Sequence, residues 1–128
     1  MRLDVGGDDK GAVVISRFKK QLLKQSIKTL HIINFYRYLT RTPESAYEYI
    51  KEIETASGIK TDFLINNSNL GRDTTLKDIE KTETSMKSLS ELSNIPILCT
   101  TAQRGLIEKE AGKYQDYFPL TLYNTLGF

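Results

Sequence analysis

The chain has 128 residues, 39% of them hydrophobic and 27% charged, which is enough for one globular domain with its own core. Its 18 basic and 16 acidic side chains leave a formal charge of +2, so no strongly basic character indicates nucleic acid or a membrane surface as a partner. One cysteine, Cys99, excludes an internal disulfide, and one histidine excludes a His-rich zinc site.

No targeting segment is visible at the start of the chain. Residues 1–15 hold no continuous apolar stretch after a basic start, so no signal peptide is predicted. No run approaches the ~18 apolar residues that a membrane span requires, so no span is predicted either. The single cysteine fits a reducing compartment, and the expected location is cytoplasmic.

The first predicted element is a short apolar strand, Leu3–Val5, followed by two glycines and two acids. In an α/β nucleotide site, a carboxylate at a strand end holds a metal ion, and glycines free the backbone to face a phosphate. Asp4 would then lie near Mg²⁺, and Gly6 and Gly7 would face the phosphate. The alternative interpretations are a structural carboxylate at the strand end and an ordinary tight turn.

Strand-like and helix-like segments alternate along the rest of the chain. Further strands are predicted at Thr29–Phe35, Thr61–Asn66 and Pro96–Thr100. Helices are predicted over Gly11–Gln25, from Thr42 to a stop at Gly58, from about Thr75 to Leu92, and over Gln103–Lys113. The clearest helix start is Thr42-Pro43-Glu44, which offers a capping hydroxyl, a proline at the first helical position and an acid near the positive end of the dipole.

This alternation predicts an α/β fold with a mostly parallel, doubly wound sheet of about four strands and helices on both faces. Continuous aliphatic and β-branched runs at Leu3–Val5, Thr29–Phe35 and Pro96–Thr100 are typical of parallel strands covered on both faces. The whole chain, residues 1–128, is predicted to form a single α/β domain. The aromatic segment Tyr114–Phe128 is predicted to pack on the sheet or on a partner.

Ligands of parallel sheets bind beyond the carboxyl ends of the strands, where this chain has polar or glycine-rich loops. The four loops are Gly6–Asp9, Asn34–Arg37, Asn66–Gly71 and Thr100–Ala102. The third has asparagine at three of its first four positions, Asn66, Asn67 and Asn69. Side-chain amides carry a donor and an acceptor together, which suits contact with a nucleobase edge, whereas Asx turns are the alternative interpretation.

These residues resemble the second half of the MinD/ParA/CobQ-type P-loop ATPases. The resemblance begins at Asp4-Val-Gly-Gly-Asp8 with Gly11-Ala12. Asn34–Arg37 with Thr40–Glu44, and then Leu64–Gly71, resemble later parts of an uncharacterised bacterial branch of that family. The resemblance covers nearly the whole chain and implies an incomplete P-loop NTPase-like (Rossmann-like) three-layer sandwich.

The resemblance also implies site roles. It implies that Asp4 is the Walker B acid, a catalytic and metal-binding residue, and that Gly6 and Gly7 belong to the switch that senses the γ-phosphate. It further implies that Asn66 or Asn67 contacts the adenine. The intact family members bind ATP with Mg²⁺, dimerise around the nucleotide and use hydrolysis as a switch.

Three more residues are predicted to bind the nucleotide. Asn34 follows the second predicted strand, and Arg37 would meet a phosphate, although a surface arginine is the alternative. Thr100, with Thr101, would line the ribose or base pocket. His31 and Cys99 lie inside predicted strands. His31 is interpreted as a packed or edge histidine rather than a general base, and Cys99 as an inert, packed side chain rather than a nucleophile.

The phosphate-binding loop of the family, G-x-x-x-x-G-K-[ST], is absent from all 128 residues. The chain is therefore predicted to be the C-terminal part of a larger nucleotide-binding domain, with weak ATP binding or no cofactor and no ATP hydrolysis when alone. Loss of the first strand would leave an uncovered sheet edge or face. Its predicted partners are therefore a second copy of the chain or a missing N-terminal segment.

Two other functions are compatible with the sequence. The chain could be a non-enzymatic α/β interaction or regulatory module that binds no nucleotide. Alternatively, Gly6–Asp9 could be a degenerate diguanylate cyclase signature on a hairpin, with Ala12–Ile15 as the second strand. Only five residues precede that signature, and a cyclase needs a long segment there.

Overall fold

The structure is a computed structural model that describes residues 9–24, 26–109 and 117–121. The helices are α1 (Asp9–Ser16), α2 (Lys19–Leu23), α3 (Pro43–Ser57), α4 (Leu76–Glu80), α5 (Glu83–Ser93) and α6 (Arg104–Lys109). The strands are β1 (Leu30–Ile33), β2 (Phe63–Asn66), β3 (Ile97–Gln103) and β4 (Tyr117–Leu120). Single turns of 3-10 helix follow β1 and β2, at Tyr38–Thr40 and Gly71–Asp73.

The four strands form one sheet in the order β1-β2-β3-β4, and every neighbouring pair is parallel. The predicted α/β class and the predicted parallel sheet are therefore confirmed. The order is sequential, so each crossover moves in the same direction, and crossovers of one hand place their helices on the same face. The carboxyl ends of the strands all lie along one edge of the sheet, called the carboxyl edge below.

Three of the predicted strands are confirmed as β1, β2 and β3, whereas Leu3–Val5 lies outside the described residues. The strand β4 was not predicted from the sequence. It contains Pro119, which cannot donate to a sheet ladder and is therefore tolerated on an edge strand. β4 is such a strand, because its described partner, β3, lies on one side only.

Helix α3 begins and ends where the sequence predicts. The Oγ1 of Thr42 accepts a hydrogen bond from the N–H of Ser45 at 3.1 Å, and Ser45 Oγ accepts one from the N–H of Thr42 at 3.0 Å. Pro43 opens the helix at the first turn. Gly58 ends it in the left-handed conformation, at φ 74°, where a side chain would be strained.

The predicted helix Gly11–Gln25 is instead two helices, α1 and α2, separated by a turn at residues 17–18. The N–H of Phe18 closes that turn on the carbonyl of Ile15 at 3.0 Å. Helix α1 lies against α3, and Ala12 is buried there with 1% exposure.

The predicted helix from Thr75 to Leu92 is also divided, into α4 and α5. The Oγ1 of Thr82 donates to the carbonyl of Ile79 at 2.6 Å, and the N–H of Thr82 bonds the same carbonyl at 3.0 Å. This tight closure ends α4, and a new helix starts one residue after Thr82. The predicted final helix is shorter, because Gln103 belongs to β3 and α6 starts at Arg104.

The core lies between the sheet and its helices. The main cluster of buried side chains joins the sheet and the loops at its ends to α3 and α5, and its members are Ile33, Phe35, Ala46, Ile50, Leu64, Met86, Leu89 and Ile95. A second cluster joins β3 to α4, α6 and β4 through Leu76, Ile79, Ala102, Leu106, Ile107 and Tyr117. The strand residues of both clusters lie on the same face of the sheet.

That face, called the covered face, includes His31, Ile33 and Leu64. The opposite face, called the open face, is assigned from strand alternation and register. Its members include Leu30, Ile32, Phe63, Ile65, Cys99, Thr101, Gln103, Phe118 and Leu120. The predicted second layer of helices has no counterpart on the open face within the described residues. In the same ranges, no helix combines the length and the apolar character needed to cross a membrane.

Candidate functional site at the carboxyl edge

The structure brings five of the predicted site residues to the carboxyl edge. Asn34 directly follows β1, Asn66 ends β2, and Thr100 lies opposite Asn66 in β3. Asn67 continues β2 by one residue, and Arg37 belongs to the loop after β1. The convergence follows from the parallel sheet, which directs every strand toward the same edge. Asp4, Gly6 and Gly7 lie outside the described residues, so their predicted roles stay predictions.

The side chain of Asn34 fastens the loop after β1 to the loop after β2. Its Oδ1 accepts hydrogen bonds from the N–H of Tyr36 at 2.9 Å and from the N–H of Asn69 at 3.2 Å. Its Nδ2 donates to the carbonyl of Asn69 at 3.2 Å. One carboxamide therefore satisfies both backbone groups of Asn69 and closes an Asx turn at its own position.

The side chain of Asn66 is fully buried on the covered face. Its Nδ2 donates to Thr82 Oγ1 at 2.8 Å, and its Oδ1 accepts from the hydroxyl and the N–H of Ser68, at 2.6 and 3.2 Å. This geometry is an Asx turn, which the sequence analysis gave as the alternative to a contact with a nucleobase. A contact between Asn66 and a nucleobase stays a prediction, and it would require some of these buried hydrogen bonds to open.

Asn67 lies differently from its neighbour. Its N–H bonds the carbonyl of Ile33 at 2.8 Å, and its side-chain Oδ1 accepts from Thr101 Oγ1 at 2.6 Å. The residue is half-buried, and its Nδ2 has no hydrogen-bond partner within the described residues. Of the two predicted adenine contacts, Asn67 therefore has the side chain that a ligand could reach without opening the core.

The rest of the loop after β2 is held by its own side chains. Ser68 Oγ accepts from the N–H of Phe35 at 2.9 Å, which links the loop to the end of β1. Asn69 accepts from the N–H of Gly71 at 3.1 Å, in a further Asx turn. Thr74 Oγ1 accepts from the N–H of Leu70 at 2.7 Å and donates to the carbonyl of Gly71. These bonds give the carboxyl edge a fixed shape before any ligand binds.

Tyr36 ties the loop after β1 to helix α4. Its hydroxyl donates to the backbone carbonyl of Asp78 at 2.5 Å. Desolvation, followed by the nearby charge of Asp78, raises the pKa of Tyr36 above its usual range. The N–H and the hydroxyl of Thr75 donate to the Asp78 carboxylate and lower its pKa, so this capping carboxylate is ionised at neutral pH.

The remaining predicted contacts differ in exposure. Arg37 is exposed, and its N–H bonds the carbonyl of Asn34 at 3.2 Å. Thr100 is half-buried on the covered face, between its partners Asn66 and Tyr117. Both residues lie at the predicted edge, and their contacts with a nucleotide stay predictions.

His31 and Cys99 lie within strands and away from the Asn-rich loop. The ring of His31 packs edge-on against that of Tyr49, with 6.0 Å between the centroids. Burial lowers the pKa of His31 despite the opposing effect of the Glu54 charge, so the imidazole is neutral at pH 7. Burial also raises the pKa of the Cys99 thiol, which disfavours the thiolate needed for nucleophilic attack. The interpretation of His31 as a packed side chain is confirmed.

Within the described ranges, no group of three or more His, Cys, Asp or Glu side chains could hold a metal ion. The predicted magnesium ligand, Asp4, lies outside those ranges. The described part of the site therefore consists of neutral amides and hydroxyls, together with the exposed guanidinium of Arg37. Such a set can bind a base or a ribose by hydrogen bonds.

No family model matches this chain, and neither the curated proteins nor the solved structures contain a matching relative. Sequence reasoning missed two residues that hold the site together, Ser68 and Thr82. Ser68 could have been found, because a serine two residues after an asparagine is the position that an Asx turn uses. Thr82 has no comparable signal, since its bond to Asn66 spans 16 positions of the chain.

Proposed function

We propose that this chain is the C-terminal portion of an ATP-binding P-loop ATPase of the MinD/ParA/CobQ type and does not hydrolyse ATP alone. The observation that carries the proposal is the position of Asn34 and Asn67, directly after β1 and β2, beside Thr101 of β3. They are linked by hydrogen bonds through Asn69 and directly from Thr101 to Asn67. Such an edge is where parallel α/β sheets bind nucleotides.

The strand order supports the proposal. In a doubly wound sheet, each half is a run of sequential parallel strands, and the order reverses only between the halves. The order β1-β2-β3-β4 is one such run, without a reversal. The complementary half would add its strands beside β1, and the nucleotide would then lie near the end of β1, where Asn34 begins the loop.

In this proposal each residue contacts a different part of the nucleotide. Asn67 contacts the adenine through its accessible amide, Thr100 and Thr101 lie beside the ribose or base, and Arg37 meets a phosphate. Asp4 holds Mg²⁺, and Gly6 and Gly7 face the γ-phosphate. ATP with Mg²⁺ is therefore the cofactor of the intact domain. Because the lysine and the amides of the P-loop supply most of the phosphate contacts, this chain should bind ATP weakly.

The test is a titration of isotope-labelled protein with Mg-ATP, followed by backbone amide NMR shifts. We expect shifts at Asn34, Asn67 and Thr101, with a dissociation constant of about 1 mM or weaker. The variant Asn67→Ala should reduce these shifts. The matched control is Asn94→Gly, which changes an asparagine in the left-handed conformation at the far end of α5 and should leave the titration unchanged.

Two results would contradict the proposal in different ways. Micromolar affinity for Mg-ATP would show that the site is complete without the P-loop. Shifts that are absent at the carboxyl edge, or that spread evenly over the surface, would show that this edge does not select a nucleotide.

The second candidate function is a non-enzymatic α/β interaction or regulatory module without a nucleotide. It is favoured by the buried side chain of Asn66, whose hydrogen bonds go to Ser68 and Thr82 and leave the base contact to a single asparagine. The apolar open face favours it as well. A titration without shifts, combined with a protein that binds through the open face, would support this function over the first.

A further inference from the structure

The open face carries apolar side chains on all four strands. Ile32 pairs with Ile65, and Ile65 pairs with Cys99, so these three residues lie side by side on β1, β2 and β3. Phe118 lies near this row on β4, since it pairs with Thr101, two residues after Cys99. Parallel strands are normally covered on both faces, so the exposure of this row calls for a covering element.

The apolar exposure of the open face is large on β1 and β4. Ile32 is 60% exposed and Phe118 is 57% exposed, and Leu30 adds a further 46% beside Ile32. With about 150–250 Å² for a whole phenylalanine and slightly less for isoleucine and leucine, the face presents on the order of 400 Å² of apolar surface when its half-buried members are included. One side of a standard protein interface buries about 800 Å², of which somewhat more than half is apolar. The apolar area of the open face is therefore comparable to the apolar part of one standard interface.

The face also carries no charge. None of the four strands contains an Asp, Glu, Lys or Arg residue. A partner of opposite charge has nothing to recognise there, whereas an identical face meets no like charge when it approaches. Two-fold contacts place the same patch on both molecules, so an uncharged apolar patch is self-complementary.

We propose that a second copy of this chain covers the open face, in a two-fold dimer that stacks the two sheets face to face. The interface is centred on the row Ile32–Ile65–Cys99, with Phe118 near its margin. Stacked sheets lie about 10 Å apart, which leaves room for one interdigitated layer of these side chains. This interface goes beyond the proposed function, because a dimer around a nucleotide would meet at the carboxyl edge instead.

The first test is sedimentation equilibrium of the full chain from dilute to concentrated solution. We expect a monomer–dimer equilibrium for the natural protein, and a monomer at every concentration for Ile32→Lys. The matched control is Leu39→Lys, since Leu39 is 64% exposed on the 3-10 turn after β1 and does not belong to the sheet. The control should dimerise like the natural protein. Circular dichroism checks that both variants stay folded, as expected for substitutions at exposed positions.

The second test uses Cys99, whose thiol is the only one in the chain. In the dimer it lies within the interface, so its alkylation rate should fall several-fold as the concentration of the natural protein rises. In Ile32→Lys the rate should be independent of concentration. This measurement remains informative if the lysine variant is less stable, because it reports on the natural protein by itself.

Several outcomes would overturn the proposal. A natural protein that is monomeric at high concentration excludes the second copy as the covering element. In that case rapid alkylation of Cys99 would mean that the face is open or awaits another polypeptide, whereas slow alkylation would mean that the same chain covers it. A dimer that persists in Ile32→Lys, or that is lost in Leu39→Lys, would place the interface elsewhere. None of these results depends on nucleotide binding, so the proposed function is tested separately.

Discussion

The two faces of the sheet are built from the same strands and have opposite surroundings. Ile32 and Ile33 are consecutive residues of β1, yet Ile32 is 60% exposed and Ile33 is 1% exposed. Ile33 packs with residues of α3 and α5, whereas Ile32 contacts no helix in the described core clusters. The comparison shows that an apolar strand predicts burial only on the face where its connecting helices return.

The largest expected effect comes from this pair of isoleucines. Ile33→Ala removes buried methyl groups from the main core cluster and should lower the free energy of unfolding by about 2–5 kcal/mol. Ile32→Ala removes mostly exposed surface and should cost about 1 kcal/mol or less in dilute, monomeric protein. Urea unfolding of both variants gives the two values. Equal losses at the two positions would mean that the open face is covered in the monomer.

The second prediction compares two asparagines at the carboxyl edge, the buried Asn66 and the half-buried Asn67. Asn66→Ala leaves Thr82 and Ser68 without their buried partner and should cost about 1–3 kcal/mol. Asn67→Ala removes one half-buried acceptor and should cost about 0.5–1.5 kcal/mol. Chemical denaturation measures both. A larger loss for Asn67 than for Asn66 would contradict the structural role given to Asn66.

The third prediction concerns the helix that covers the sheet. Thr42→Ala removes the side-chain oxygen that caps α3 and should lower the free energy of unfolding by about 1 kcal/mol. The matched control is Thr55→Ala, at an exposed position inside the same helix, which should be neutral or slightly stabilising because alanine is the better helix former. Thermal unfolding distinguishes the two. If both variants lost the same stability, the capping box would contribute nothing.

The smallest effect is a pH dependence that originates on the covered face. Because burial lowers the pKa of His31 in the folded state, the folded protein binds fewer protons than the unfolded chain between that lowered pKa and about 6.5. The free energy of unfolding should therefore fall as the pH drops through this window. Unfolding measured at about pH 7.5 and about pH 5.5 tests the sign. His31→Gln is the control, and it should lose this part of the pH dependence.

Most of the helices and strands could be predicted from local sequence patterns. Thr42, Pro43 and Gly58 fixed both ends of α3, and apolar runs identified three strands. The division of the helix at Thr82 was not readable, because the apolar spacing continues from Ile79 to Met86 as if the helix were unbroken. β4 was missed because Pro119 cannot donate to a sheet ladder, and a proline within a run argues against a strand.

The sequence predicted where the site lies, but it predicted the directions of the side chains less well. A parallel sheet dictates that Asn34, Asn67 and Thr101 meet at one edge. The direction of Asn66 was available in principle, since a period of two places it on the same face as the buried Leu64. The partner of Asn66 was not available, because it comes from a separate helix. Contacts that depend on how elements pack cannot be obtained from spacing along the chain.

Pro119 affects how readily an edge strand of a second molecule can pair with the sheet. It removes one backbone donor from the outer margin of β4, whereas the margin of β1 keeps every backbone group of its four residues. An endless ribbon of molecules would need two pairing margins on each one, as fibrils do. Within the described residues, a strand that paired with β4 would lack one hydrogen bond at Pro119, so we expect strand-to-strand association to be weaker there than beside β1.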